Sequence, residues 1–302
     1  MFGFGVFDGV HIGHRTIIAN LSEMAAASGA HPVAVTFSPH PRAVVCPDDP
    51  PALLLPLEER LRLLHEVGAG YTGVIDFTAQ FAALSPERFL AGICGGNSFS
   101  VCGICVGEKW RFGRFGAGDT AFLARWCSEH SLAFRACPEL TVEGRGVVSS
   151  TAIRRLTAAG ELDAAAEMLG RWCRIFGRVV HGFRVAGGIL DAPTANLELA
   201  AGVVPPDGVY CGGVRLDGEI YPAAVNIGRA PTFDYGRKVH RIEAHLPGFS
   251  GELYGREIEL ELYRRLRPER AFADAGELKR QIAADISEVV AVFSEYQRRS
   301  RS

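Results

Sequence analysis

The feature that most constrains the fold is a change in the spacing of apolar residues near Arg171. Before that point, short apolar runs alternate with segments whose apolar residues recur every three or four positions. After it, apolar residues recur at every second position and tight turns separate the runs. The first pattern is typical of a doubly wound parallel sheet with helices, and the second of an antiparallel β-barrel. The sequence therefore predicts an α/β domain over residues 1–170 and a β-barrel domain over residues 171–302.

Strands and helices can be assigned in both halves from this spacing. In the first half we expect strands at 2–7, 33–37, 73–77, 99–106 and 133–137, and helices at 14–27, 57–67, 86–93 and 120–130. In the second half we expect strands at 175–180, 208–216, 219–227, 239–246 and 257–263. Asp217 and Gly218 form the kind of pair that favours a tight hairpin turn. An amphipathic helix is predicted over 275–296.

The composition is that of an ordinary globular protein and excludes several functional classes. The 302 residues are 48% hydrophobic and 22% charged, with a formal net charge of −2 and no basic block, so we expect no nucleic-acid partner. No apolar run approaches about 18 residues and no secretory pattern opens the chain, so we expect a cytoplasmic protein without a membrane partner.

Cys102 and Cys105 form a C-x-x-C pair without the second pair typical of zinc sites. The sequence carries no signal for a particular oligomeric state.

A glycine-rich turn between the first predicted strand and helix carries two histidines. Residues 5–14 read GVFDGVHIGH, so His11 and His14 share one face at the start of the helix. The unpaired N–H groups and the dipole at a helix N-terminus attract anions, and Gly13 lets a phosphate approach the backbone. We expect a nucleoside triphosphate here. The simpler alternative is that a histidine only caps the helix. Asp8 stands where a dinucleotide fingerprint requires glycine, and no Walker-type loop occurs.

Two further segments carry polar groups suited to phosphates. Thr151 and Arg154 are three apart at the start of another predicted helix, which puts a hydroxyl and a fixed cation together. The alternative is that Ser150 and its neighbours are only N-caps. His40 follows the second predicted strand, and ligands of doubly wound sheets bind beyond the carboxyl ends of the strands.

These segments together resemble the bacterial bifunctional riboflavin kinase/FMN adenylyltransferase family, also called FAD synthetase. In the first half the resembling motifs are GVFDGVHIGH at 5–14, TFSPHP at 36–41, RFG at 111–113 and SSTAIR at 149–154. In the second half they are PTAN at 193–196, NIG at 226–228, PTF at 231–233, EAH at 243–245 and LYG at 253–255. Each motif alone is weak, but their order and spacing are specific.

The resemblance implies two reactions. The barrel would phosphorylate riboflavin with ATP and Mg²⁺ to give FMN, and the α/β half would transfer AMP from ATP to FMN, giving FAD and pyrophosphate. It implies catalytic roles for His11, His14 and Glu243. The implied ATP contacts are Gly5, Phe7, Gly13, His40, Ser150, Thr151, Arg154, Thr194 and Asn196, with Thr194 and Asn196 also serving as Mg²⁺ ligands.

The chain also departs from the family pattern before the PTAN motif. Residues 187–192 read GGILDA, where family members usually have Gly-Arg-x-(Leu/Ile)-Gly-Phe, and the loop from Gly182 is one residue longer. Asp191 in this run could bind Mg²⁺ or repel ATP. A second interpretation is therefore an FMN adenylyltransferase with a degenerate barrel, and a third is a non-catalytic flavin-binding protein. The third is disfavoured by the presence of all five residues expected to act in the two reactions, which are His11, His14, Thr194, Asn196 and Glu243.

Overall fold

The chain divides into two units that follow the two patterns in the sequence. The computed structural model describes residues 1–95, 100–180, 194–229 and 240–299. The first unit comprises Met1–Pro51 and Leu57–Ser150, and the second comprises Ala52–Pro56 and Thr151–Ser302. The segment Ala52–Pro56 thus belongs with the barrel although it lies early in the chain. Both predicted fold classes are confirmed.

The first unit contains a parallel five-stranded sheet. Its strands are β1 (Phe2–Phe4), β2 (Val33–Ser38), β3 (Tyr71–Asp76), β4 (Gly103–Gly107) and β5 (Ala133–Cys137). The order is β3-β2-β1-β4-β5, and every neighbouring pair is parallel. Because the order of strands reverses between β1 and β4, a crevice opens there beyond their carboxyl ends. The turn that follows β1 lies at this crevice.

Helices connect these strands. They are α1 (Ile12–Ala27), α2 (Pro41–Val45), α3 (Leu57–Glu66), α4 (Ala79–Ala82), α5 (Pro86–Cys94) and α6 (Thr120–Glu129). A small hairpin of β6 (Thr141–Val142) and β7 (Gly146–Val147) precedes α7 (Ser150–Ala159) and α8 (Leu162–Leu169). Side-chain caps explain several of the helix starts. For example, Asp119 accepts a hydrogen bond from the backbone N–H of Phe122 at 2.8 Å.

An aromatic core holds β1 in the centre of the sheet. Phe2 and Phe4 of β1 are buried with Phe37, Phe89 and Phe112. Burying one such side chain contributes about 1.5–3 kcal/mol. The core therefore fixes the position of β1 and of the turn that follows it.

The second unit contains a closed antiparallel barrel. Its strands are β8 (Cys173–Val180), β9 (Thr194–Ala201), β10 (Gly208–Leu216), β11 (Glu219–Arg229), β12 (His240–His245) and β13 (Glu257–Arg267). Around the barrel the order is β10-β11-β12-β9-β8-β13. The last helix, α9 (Ala275–Arg299), packs its Val289, Val292 and Tyr296 against Cys211 and Tyr263 of the barrel wall. In the part of the chain that the structure describes, no helix combines the length and apolarity needed to cross a membrane.

Two differences from the sequence predictions have physical causes. Strand β9 was not predicted, because its residues TANLELAA are mostly helix formers. It adopts the extended form because it pairs with β8 on one side and with β12 on the other. Strand β1 ends at Phe4 rather than at residue 7, because the left-handed φ of 51° at Phe7 cannot continue a strand. The expected start of β4 at Phe99 lies outside the described residues.

The predicted hairpin turn is present between β10 and β11. Asp217 and Gly218 have φ angles of 52° and 88°, the pair of positive values that a tight type I′ turn requires. The unusual run at 187–192 with Asp191, the adjoining Pro193 and the PTF motif at 231–233 lie outside the described residues.

Candidate functional site

The turn after β1 is held in a strained conformation by two neighbouring segments. Phe7 and Val10 have positive φ angles of 51° and 37°, which non-glycine residues rarely adopt. The carbonyl oxygen of Val6 accepts hydrogen bonds from Thr36 Oγ1 and from Arg60 Nη1, each at 2.8 Å. Strained backbone persists where the surroundings over-determine it, and it is concentrated at functional sites.

Glycine allows close contacts at two positions of this turn. A Cβ atom on Gly5 would lie 2.7 Å from the ring of Phe7, too close for any side chain. A Cβ atom on Gly13 would lie 3.3 Å from the imidazole of His11. Gly5 therefore lets the Phe7 ring pack beneath the turn, and Gly13 lets the His11 ring lie against the first turn of α1.

His11 and His14 form a stacked pair at the N-terminus of α1. Their ring centroids are 3.5 Å apart with the planes 18° from parallel, and Phe7 packs edge-on against His14 at 5.2 Å. His11 Nδ1 accepts a hydrogen bond from the backbone N–H of His14 at 3.3 Å, so its proton is assigned to Nε2. His11 therefore caps the helix through Nδ1, as the simpler alternative predicted, and its Nε2–H is left as a hydrogen-bond donor. The structure brings together Gly5, Phe7, His11, Gly13 and His14.

The remaining predicted phosphate contacts are distributed over both units. Ser150 Oγ donates a hydrogen bond to the carbonyl oxygen of Asp8 at 2.7 Å, which joins the start of α7 to the β1 turn. His40 caps α2 by accepting from the backbone N–H of Arg42 at 3.1 Å. Thr151 is exposed, and Arg154 Nε donates to the carbonyl oxygen of Ala52 at 2.7 Å. Thr151 and Arg154 belong to the second unit.

Arg60 is a functional-site candidate that the sequence analysis missed. It is only 3% exposed, and its Nε has no hydrogen-bond partner among the described residues. Burial lowers the pKa of the Arg60 guanidinium, and the negative charge of Asp8 opposes this shift. Arg60 lies on the buried face of α3 with Leu63 and Leu64. An arginine on an apolar helix face was the signal that could have revealed it.

An apolar cavity of about 730 Å³ lies at the carboxyl ends of the sheet strands and was also missed. Aromatic side chains from β2 and from the segments after β3 and β4 line it, together with residues of the loop at 111–116. Its aromatic residues include Phe37, Phe77, Trp110 and Phe112, and the last two are stacked at 4.6 Å. A planar ring system is the ligand that such a wall suits best.

The second site lies on the barrel, where three strands place polar residues side by side. In the strand register, Glu243 of β12 pairs with Asn196 of β9 on one side and with Asn226 of β11 on the other. His245 pairs with Thr194 of β9. Directly opposite residues in antiparallel strands have Cβ atoms about 4.5–5.5 Å apart. The structure therefore brings Thr194, Asn196 and Glu243 together as predicted neighbours.

A cavity of about 540 Å³ adjoins these residues. Thr194, Glu243 and His245 line it on the barrel side, and Leu278 and Ile282 of α9 line it opposite. The Nε of Arg241, a neighbour on the same strand, lies 3.6 Å from Glu243 Oε1. The cavity thus combines an apolar wall with a carboxylate that is mostly buried but still reachable.

His245 and an ion pair complete the lining of this cavity. His245 is 8% exposed, its Nδ1 has no hydrogen-bond partner in the described parts of the chain, and burial lowers its pKa. Arg267 of β13 donates from Nε and Nη2 to the carboxylate of Asp285 on α9, at 3.0 and 2.7 Å. This bidentate pair ties α9 to the barrel beside the cavity.

Known proteins similar to this chain cover both units. A family model described as FAD synthetase matches residues 1–152, and one described as riboflavin kinase matches residues 169–293. A bifunctional riboflavin kinase/FMN adenylyltransferase of Pseudomonas fluorescens is 36% identical, covering 94% of this chain and 89% of its own length. The enzyme of the same name from Bacillus subtilis is 33% identical, covering 97% and 92%. A crystal structure described as a macrolide-efflux protein from Streptococcus pneumoniae is similar with a TM-score of 0.82 and 28% identity, covering 95% and 92%.

Proposed function

This chain belongs to the family of bifunctional riboflavin kinases/FMN adenylyltransferases, and we infer from that membership that it makes FAD in two steps. It is an enzyme that phosphorylates riboflavin to FMN with ATP, and then adenylylates FMN to FAD with release of pyrophosphate. The observation that carries this conclusion is the match of a separate family model to each unit. The interpretation as an adenylyltransferase with a degenerate barrel is wrong, because the riboflavin kinase model matches residues 169–293.

We propose that residues 1–170 carry out adenylyl transfer and that residues 171–302 carry the kinase. In adenylyl transfer a phosphate oxygen of FMN attacks the α-phosphorus of ATP, and the bond to the bridging oxygen of pyrophosphate breaks. The reaction needs no protein nucleophile, so the protein acts by positioning the phosphates and stabilising their charge. The donor at His11 Nε2, His14 beside it and the N-terminus of α1 are suited to this task.

Further residues of the sequence motifs are proposed to contact ATP. Gly5, Phe7 and Gly13 shape the turn so that a phosphate can approach the backbone. Ser150, Thr151 and Arg154 at the start of α7, and His40 at the start of α2, are proposed to contact the rest of ATP. A hydroxyl and a guanidinium on one helix turn support binding of the distal phosphates.

The apolar cavity beyond β1, β2 and β4 is proposed to hold the flavin ring of FMN. Its wall of Phe37, Phe77, Trp110 and Phe112 offers stacking surface and buries apolar area. The cavity and the histidine turn both lie at the carboxyl ends of the sheet strands, where Val6 contributes to both. A flavin ring in the cavity would therefore direct the ribityl phosphate toward the turn.

In the barrel, Glu243 is proposed as the general base for the terminal ribityl hydroxyl of riboflavin. Its carboxylate lines a cavity with an apolar wall from α9, which suits a flavin ring with a polar chain. Taking the proton from that hydroxyl would let its oxygen attack the γ-phosphorus of ATP, with ADP leaving. Thr194 and Asn196 on the neighbouring strand are proposed to contact the ATP phosphates.

The residues around Glu243 also fit the Mg²⁺ ion that a kinase reaction requires. Thr194 and Asn196 of β9 offer oxygen ligands, which Mg²⁺ prefers, beside Glu243 on the adjacent strand. Across the described ranges, no three His, Cys, Asp or Glu side chains are grouped so as to hold a metal ion by themselves. An ion held partly by substrate phosphates is consistent with this arrangement, and when bound it would offset the charge of the transferred phosphoryl group.

Chromatography of the reaction products tests this proposal directly. The purified protein is incubated with ATP and Mg²⁺ and with either riboflavin or FMN. We expect FMN and FAD from riboflavin, and FAD with an equal amount of pyrophosphate from FMN. Failure to make FMN would contradict the kinase assignment, and failure to convert supplied FMN to FAD would contradict the adenylyltransferase assignment. A cytoplasmic location remains a prediction.

A further inference from the structure

Phe115 combines two properties that are unusual for a phenylalanine. It is 92% exposed, although aromatic side chains generally bury most of their surface. Its φ angle of 55° is in the left-handed region, which bulky residues rarely adopt. A residue with neither burial nor a favourable backbone conformation contributes little to folding, so its placement calls for another explanation.

The loop around Phe115 is built to present it in this position. Phe112 and Gly118 exchange backbone hydrogen bonds at 3.1 and 2.9 Å across the base of the loop. Within the loop, Gly116 N–H donates to the carbonyl oxygen of Gly113 at 2.9 Å, and Arg114 N–H donates to that of Leu84 at 2.7 Å. The exposed ring is therefore fixed on an ordered turn.

This turn forms part of the wall of the aromatic cavity in the first unit. Phe115 lines the cavity together with Phe112 and Trp110, which are stacked on each other. The guanidinium carbon of Arg114 lies 4.9 Å from the centre of the Phe115 ring, so a positive charge accompanies the ring at the rim. A ring and a cation held at a cavity rim suit a planar ligand that also bears negative charge.

We propose that Phe115 is a binding residue for FMN, contacting the flavin ring at the rim of the cavity, an inference that rests on the proposed adenylyltransferase function. Ligand binding would cover the exposed ring and bury apolar surface that the unbound protein leaves in water. The contact acts on the flavin and not on ATP. Its loss should therefore weaken FMN binding without altering the use of ATP or the kinase reaction in the other unit.

The test compares Phe115→Asn with Phe115→Tyr and with Tyr71→Ala. Asparagine tolerates the left-handed conformation, so the first variant keeps the turn while removing the ring. Tyrosine restores the ring. Tyr71 is 56% exposed in the same unit but does not line the cavity, and serves as the matched control.

For Phe115→Asn we expect the KM for FMN in FAD formation, and the Kd from titration of flavin fluorescence, to rise about 3- to 10-fold, the size of one ring contact. The KM for ATP should not change, and Phe115→Tyr and Tyr71→Ala should resemble the wild type. A wild-type KM and Kd for FMN in Phe115→Asn would overturn the proposal while the wild-type enzyme still makes FAD. If the wild type itself neither bound FMN nor made FAD, the proposed function would fall, and this inference with it.

Discussion

At the scale of single residues, the hydrogen bonds to one carbonyl group explain how the histidine turn keeps its strained shape. The carbonyl oxygen of Val6 accepts from Thr36 and Arg60, and the buried Asp8 lies close enough for its charge to act on Arg60. The positive φ angles of Phe7 and Val10 follow directly in the chain. The position of His11 and His14 thus depends on the hydrogen bonds that Thr36 and Arg60 make to the turn before them.

We predict that Arg60→Met lowers both stability and FAD formation. Removing a charged donor from a part-buried carbonyl costs about 1.5–3 kcal/mol, and a relaxed turn should displace His11 and His14. Urea unfolding and FMN adenylylation measure the two effects. Arg62→Met is the matched control, because Arg62 on the same helix is 49% exposed and pairs at the surface with Glu59. Equal behaviour of the two variants would contradict the role given to Arg60.

His245 should make the stability of the protein depend on pH. Burial lowers its pKa from the ordinary value of 6.5, so below that value the unfolded chain binds the proton more tightly than the folded protein. The free energy of unfolding therefore rises with pH between the lowered pKa and 6.5, and this group contributes no further change above 6.5.

We predict that His245→Gln loses less stability than the wild type when the pH falls from about 7.5 to about 5.5. Urea unfolding at several pH values measures the difference, which isolates His245 from the other titrating groups. Parallel curves for the wild type and the variant would show that His245 does not hold a lowered pKa.

At the scale of secondary-structure elements, the first turn of α1 contains a residue that lowers helix stability. Glycine inside a helix costs about 1 kcal/mol relative to alanine, yet Gly13 lies between the two histidines. A Cβ atom there would press on the His11 ring at 3.3 Å. Gly13 therefore lowers the stability of the helix but leaves room for the imidazole of His11.

We predict that Gly13→Ala reduces FAD formation about tenfold or more, since a small misplacement of a catalytic group is costly, while stability changes by less than about 1 kcal/mol. Gly92→Ala in α5 is the control, because nothing lies within 4 Å of its added Cβ. That variant should be as active as the wild type and equally or more stable. Full activity of Gly13→Ala would argue against a fixed His11 ring.

The sequence correctly predicted those elements in which the local residue preferences favour the same structure as the tertiary contacts do. The Asp217-Gly218 turn is such a case, because the turn residues alone dictate its positive φ angles. Strand β9 could not be predicted, because its alanines, leucines and glutamate favour a helix and only the neighbouring strands impose the extended form. The polar site residues were predicted from their motifs.

The apolar parts of the sites could not be predicted in the same way. The aromatic cavity of the first unit depends on residues in β2 and after β3 and β4, and their convergence depends on the sheet order. Arg60 was missed because its charge suggests a solvent-exposed position, although its neighbours on the helix face are leucines. His245 stands in a motif, but the motif does not indicate that its side chain is buried.

At the scale of the whole molecule, we propose that residues 1–170 carry adenylyl transfer and that residues 171–302 carry the kinase reaction. The histidine turn and the aromatic cavity belong to the sheet unit, and the cavity with Glu243 belongs to the barrel unit. Each unit has its own core of buried residues. If the reactions are separate, a change in one site should leave the other reaction intact.

The most direct test measures both reactions in His14→Ala and Glu243→Gln. His14→Ala should lose FMN adenylylation on the order of 100-fold, because a donor to the reacting phosphates is gone, while still phosphorylating riboflavin. Glu243→Gln should lose riboflavin phosphorylation by about 100- to 10,000-fold, because the general base is gone, while still converting supplied FMN to FAD. Parallel loss of both reactions in either folded variant would contradict the assignment of one reaction to each unit.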